Sequence, residues 1–354
     1  MKRLKLLGVL LLSLLVLSTL NSVSAFQRDI IPPAKAKQVA EYFAKEEFSE
    51  NIEIGDYVLF YEPSGKPAVY SFEILKDGKV YGTIIIGATK DHAPLVMLYR
   101  GLPPQYNLNL KKRARNIKYL YPKPFTFIAR YEVKDKNNNP SYMYIDLING
   151  KRIHYQKKDF TNSVSSYNIK TRKEWTYVEK LISGEILPQY VNKGYKKIRG
   201  VPYFIADEGC ALTAAAMVIS YWRNLGYYNF PIGEEYLEDL FKQYFDYNPA
   251  TGATTVSSIP PGYEEFTSDY GYSFDSWYLD GYWEYVSEID HERPVTIALI
   301  GSETYGDHAV VGIGYEYVYP YSKYLWIHDG WHYYDVKINV NEAQDIDYIY
   351  LRPN

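Results

Sequence analysis

Positions 34–47, AKAKQVAEYFAKEE, follow Pro32-Pro33 and set Val39, Tyr42 and Phe43 on one face at helical spacing, which predicts an amphipathic helix. The pattern then changes to period two. Runs of β-branched and aromatic residues at 56–61, 68–75, 79–87 and 95–99 are separated by Pro-Ser-Gly, Asp-Gly and Asp-His-Ala-Pro turns and predict strands. Segments 125–133 and 142–147 predict a further hairpin, and Asn149-Gly150 a tight turn before 152–156. This half reads as a helix on an antiparallel sheet, a small α+β domain over 26–158 in which no residue constellation suggests chemistry.

The Ser- and Asn-rich stretch 159–170 lacks periodicity and reads as a linker, followed by a short helix at 172–182, so that 159–193 connects two domains. The second domain, 194–354, begins helical. Helices are predicted from Cys210 to about Asn224, over 233–244 and over 276–290, with a polar loop at 248–262. Strands are predicted at 295–300, 308–317, 324–328 and 348–351, so the fold class is α+β throughout.

The N-terminus changes the picture of where the chain works. Lys2, Arg3 and Lys5 precede a leucine-rich run over 6–17, and Val23-Ser24-Ala25 ends it, the form of an export signal over 1–25. Later segments lack the 18 or more apolar residues of a membrane helix, so a secreted protein is expected, membrane-anchored only if the signal stays uncut. Lipid attachment near the cleavage site would need a cysteine there, and the single cysteine is Cys210. That cysteine cannot form an intramolecular disulfide, which leaves an intermolecular bridge, an inert buried thiol or a functional one. A net charge of -3 with interspersed signs argues against nucleic acid as a partner, and 47% hydrophobic residues suit a globular chain. The 40 tyrosines suit tyrosine-rich sheets, wet surfaces or a ligand groove.

Cys210 stands in GCALTAAAM, where a turn runs into a helix. Unpaired N–H groups and the positive end of the helix dipole favour a thiolate there. His308, in GDHAVVGIGY, opens a strand after a glycine-bearing loop, and the next strand, YLWIH, runs into Asp329-Gly330-Trp331. A hairpin turning between Val318 and Tyr319 would place Asp329 opposite His308, at a Cβ separation of roughly 5 Å. Thiolate, imidazole and carboxylate would then make a nucleophilic set. Each member also has a plainer role: a satisfied polar histidine, a turn-forming aspartate.

GCALTAAAMVISYW, EIDHERPVTIALIG, GDHAVVGIGY and YLWIHDGW, in that order, resemble the motifs of papain-like cysteine peptidases of the bacteriocin-leader (double-glycine) group, over about 201–331. The resemblance implies a papain-like peptidase domain with Cys210 as nucleophile, His308 as general base and acid, and Asp329 as orienting residue. It also implies a thioester intermediate and a peptide or protein substrate. Two departures stand out. The glutamine usual before the cysteine is missing from 204–208, where Asp207 and Glu208 only accept hydrogen bonds when ionised, and Ala211-Leu212 follow the cysteine where Gly and Pro are frequent. Candidates for oxyanion or substrate contacts are the Cys210 N–H, Gln189, Asn192, Tyr203, Gly209 and Trp331. Losing one donor would cost roughly 100- to 1000-fold in rate. The first half resembles a propeptide through its helix-plus-sheet layout and GTIIIGATKDHAPLVMLYRG, which implies an intramolecular partner shielding the cleft.

The alternative reading is a non-catalytic cell-surface protein binding peptide or glycan on the same fold. A metal site from His308, His328 and His332 is disfavoured because the four-residue spacing of the last two falls on a strand and turn. His92, His154 and His291 are expected to be solvated, and no cofactor is expected.

Overall fold

In the computed structural model the described residues are 29–48, 51–106, 115–134, 139–148, 150–153, 168–186, 192–207, 209–300, 308–343 and 345–354. The export-signal reading, Gln189, Glu208, His154, the loop before His308 and most of the expected linker fall outside them. None of the helices described is long and apolar enough to cross a membrane.

Helix α1 (Pro33–Phe48) turns Ala36, Val39, Ala40 and Ala44 inward, a three-to-four-residue spacing that presents one apolar stripe to the sheet. Strands β1 (Glu53–Tyr61), β2 (Pro67–Lys76), β3 (Lys79–Gly87), β4 (Met97–Arg100), β5 (Arg115–Leu120), β6 (Ile128–Lys134), β7 (Pro140–Asp146) and β8 (Arg152–Ile153) follow. Helix α2 (Asn168–Ile182) begins four residues before the predicted start and buries Trp175. After β9 (Lys193–Lys197) come α3 (Cys210–Asn224), α4 (Glu234–Tyr244), the short pair β10 (Tyr247–Asn248) and β11 (Ala253–Thr254), α5 (Ile259–Asp269), β12 (Phe274–Tyr278) and α6 (Tyr282–Asp290). The chain closes with β13 (Val295–Ile300), β14 (His308–Val318), β15 (Ser322–His328), β16 (Val336–Asn339) and β17 (Asp345–Pro353).

All of these strands except the β10-β11 pair join in one sheet of order β12-β17-β13-β14-β15-β16-β4-β3-β2-β1-β5-β6-β7-β8, with β9 also paired to β14. The two halves therefore meet through main-chain hydrogen bonds between β16 and β4, with Val336 opposite Tyr99. Helix α2 fastens the same junction. Thr171 Oγ1 donates to Lys90 O, Trp175 Nε1 donates to His92 O at 2.8 Å, and buried Glu174 accepts from Tyr324, Asn339 and Asn341. Burial pushes the Glu174 carboxyl up to about 7, against the pull of these hydrogen bonds.

Two expected elements differ. The segment 248–262 is not all loop, because Pro260 and Pro261 lie in the first turn of α5, where a missing N–H leaves no hydrogen bond unmade. The predicted helix 276–290 splits into β12 and α6 at Gly281, whose φ of 122° suits only glycine. His92 also departs from the solvated reading. Its Nδ1 lies 2.8 Å from Glu342 and its Nε2 3.5 Å from Glu62. Burial disfavours its charge, yet the two carboxylates outweigh that and raise its pKa to about 9.

Candidate active site

Cys210 is the first residue of α3, as its sequence setting predicts, and is half-buried. Gly209 precedes it in extended conformation with no side-chain cap. A Cβ at Gly209 would stand 3.0 Å from Gly252 O and 3.3 Å from the Tyr247 ring, so the entry to the helix is closely packed. The first N–H groups of a helix lack intrahelical acceptors. That of Ala211 turns to the Cys210 sulfur, and Ala309 N–H donates to the same sulfur at 3.3 Å. Burial would raise the thiol pKa, but the hydrogen bond and charge of His308, with these two N–H groups, bring it below the ordinary value.

His308 opens β14 and is held against β13, opposite Leu299. Burial disfavours its charged form, while the Cys210 thiolate and the Asp329 carbonyl favour it, and its pKa is raised. Its Nε2 donates to Asp329 O at 2.7 Å, leaving Nδ1 for the thiol. The Trp331 ring stacks on the imidazole at 3.7 Å and 8° from parallel.

Asp329 contacts His308 through its main-chain carbonyl, which corrects the expected side-chain pairing. The hairpin turns at Pro320, with Val318 paired to Ser322, and a bulge between Gly312 and Gly314 shifts the register again. Val311 opposes His328 as a result, and continuing that register brings Trp331, not Asp329, across from His308. The Asp329 carboxylate instead shapes its own turn. Its Oδ1 accepts the N–H of Trp331 and of His332, each at 3.0 Å, and its Oδ2 lies 2.7 Å from His332 Nδ1. Gly330, at φ 71°, lets the chain reverse there, and its carbonyl accepts Ala206 N–H at 2.7 Å, tying the segment before Cys210 to this turn.

Tyr203 does not face the thiol. Its hydroxyl donates to Asp335 at 2.5 Å and its ring stacks on His328, in a cavity of about 390 Å³ also lined by Lys197 and Arg199. Burial would raise the Asp335 carboxyl, but hydrogen bonds from His328, Lys197 and Tyr203 hold it well below the usual range. Asn192 is engaged through its carbonyl with Tyr319 N–H. His308, His328 and His332 have separate partners. No group of three or more potential metal ligands converges among the described residues. His332, weighed from its spacing only as a disfavoured metal ligand, is brought onto Asp329 by the observed turn.

A thiol lowered in pKa beside an imidazole raised in pKa can form a thiolate–imidazolium pair. Residues 187–352 match the model of the Peptidase_C39 like family. Among solved structures, a candidate C39-like peptidase from Bacillus anthracis aligns at 16% identity and a TM-score of 0.31, covering 45% of this chain and 98% of that one. No curated protein matches the chain. Residues 187–352, which carry Cys210, His308 and Asp329, are thus similar to the Peptidase_C39 like family.

Proposed function

We propose that the chain is an exported cysteine peptidase that hydrolyses peptide bonds through a thioester on Cys210. The observation that carries this reading is the Cys210 sulfur at a helix N-terminus, hydrogen-bonded by His308 and by Ala309 N–H, with His308 anchored on the Asp329 carbonyl. The thiolate attacks the scissile carbonyl carbon and forms a C–S bond, and the Cys210 N–H stabilises the oxyanion. His308 then gives its proton to the departing amine as the C–N bond breaks. Water, losing a proton to His308, attacks the thioester, releasing the carboxylate product and the thiol. Asp329 and Trp331 keep the imidazole in place and covered.

The shared sheet supports a permanent N-terminal half rather than a removable propeptide, because cutting it away would bare the β16 edge and the apolar surface beneath β4. The non-catalytic alternative draws on Tyr203, whose hydroxyl is committed to Asp335 and supplies no oxyanion donor. Incubating the full chain with a peptide library and reading products by mass spectrometry separates the two. New termini that vanish in Cys210→Ser and His308→Ala support the peptidase, whereas no cleavage by the wild type, or cleavage undiminished in Cys210→Ser, rejects it.

A further inference from the structure

We infer that His332, seated on Tyr99 of the N-terminal sheet, is a positioning residue for His308, so that the N-terminal half is part of the catalytic apparatus. The inference rests on the reading of Cys210 and His308 as a reactive pair.

Tyr99 is held on both sides, paired with Thr83 of β3 and Val336 of β16, and its side chain is buried. Its ring lies 5.4 Å from that of His332, at 26°, and 5.6 Å from that of Tyr334, at 6°. His332 and Tyr334 are themselves 4.7 Å apart and near parallel. Tyr334 lies against the main chain of Gly101, just past β4, where a Cβ would collide with its ring and hydroxyl. The three rings therefore grip the end of β4, and the imidazole among them has little freedom to turn.

The gripped imidazole aims Nδ1 at Asp329 Oδ2, and Asp329 is buried. Because a carboxylate only accepts, Nδ1 carries the hydrogen. That bond, with the two N–H groups on Oδ1, fixes the Asp329 turn from its side-chain end. The carbonyl of the same residue points to His308 Nε2. A chain of four contacts thus runs from Tyr99 through His332 and Asp329 to His308 and the thiol, the first link from the N-terminal sheet and the rest from the C-terminal half. Without the His332 donor, a buried carboxylate loses one partner and the turn can rotate. His308 then loses its anchor and the thiolate its cation.

The test is a titration of the Cys210 thiolate by its ultraviolet absorbance in the full chain, each variant corrected by its Cys210→Ser counterpart, with steady-state cleavage kinetics alongside. His332→Asn keeps an N–H donor where Nδ1 stood, and His332→Leu has the same size without one. The inference predicts a wild-type thiolate midpoint for His332→Asn. For His332→Leu it predicts a midpoint raised by about one unit, tenfold less thiolate at the foot of the curve, with kcat lowered by a similar factor and KM little changed. Should His332→Leu not fold, Tyr99→Leu removes the platform and carries the same direction of shift. A wild-type midpoint that is low and dependent on His308, but unmoved in His332→Leu or Tyr99→Leu, overturns the inference and leaves the peptidase reading standing. A wild-type midpoint near the ordinary thiol value of about 8.5, indifferent to His308→Ala, overturns both.

Discussion

Replacing His92 by Asn should remove a pH-dependent part of stability that resides at the junction of the two halves. The imidazole lies between Glu342, 2.8 Å away in the C-terminal half, and Glu62, 3.5 Å away in the N-terminal half, with 17% of its side chain exposed. Its folded pKa, about 9 against an ordinary 6.5, means that the folded state holds a proton the unfolded state has lost. The pair's contribution is complete below pH 6.5, where both states are protonated, and declines as pH rises from there through 9. At 1.36 kcal/mol per pH unit, the gap of roughly 2.5 units amounts to about 3 kcal/mol. With an m-value of about 3 kcal/mol/M, that is a fall of about 1 M in urea midpoint. Urea unfolding of the full chain at pH 6, 7.5 and 9.5 measures it. The wild type should lose this stability across the series while His92→Asn stays flatter by that amount, since Asn keeps a donor toward Glu342 and does not titrate. Parallel curves for the two proteins would refute the placement of a charged imidazole at the junction.

Glu174 makes a companion case at lower pH. Its carboxyl, pushed to about 7 by burial, holds its proton in the folded state from pH 4.5 upward, so stability should fall by about 3 kcal/mol as pH rises from 4.5 to 7. Glu174→Gln should abolish that slope in the same urea series. Trp331→Ala uncovers the imidazole and removes a stacked contact of the kind that contributes about 0.5–1.5 kcal/mol, so kcat should drop about 3- to 10-fold with KM little changed in peptide cleavage. An unchanged kcat would assign Trp331 to substrate contact or to packing alone.

Local pattern was enough for much of the fold. The bounds of α3, β3 and β13 are those expected, because each is a dense apolar run closed by glycine, proline or charge within its own sequence. What escaped prediction depends on distant partners. VKIN is too short to announce a strand, and β16 owes its burial to β4 more than two hundred residues earlier. His92 sits in a turn-like DHAP and owes its burial and charge to Glu342. At the site, Cys210 and His308 were legible because a helix start and a strand start are local features. The role of Asp329 was not, since it depends on a turn at Pro320 and a bulge at Gly312–Gly314 that periodicity does not encode. The Asp329 carboxylate forms the turn, and its carbonyl, not the carboxylate expected, meets His308. The contact of His332 with Asp329 was hidden for the same reason.

The account stands most directly on the Cys210–His308 pair. The rate of iodoacetamide labelling of Cys210 should be followed from pH 5 to 9 in the full chain and in His308→Ala. Because the two groups shift each other's pKa in opposite directions, the wild type should label rapidly at the acid end, and His308→Ala should lose that reactivity. Labelling that is slow below neutrality, rises only near the ordinary thiol pKa of about 8.5 and ignores the His308 substitution would contradict it.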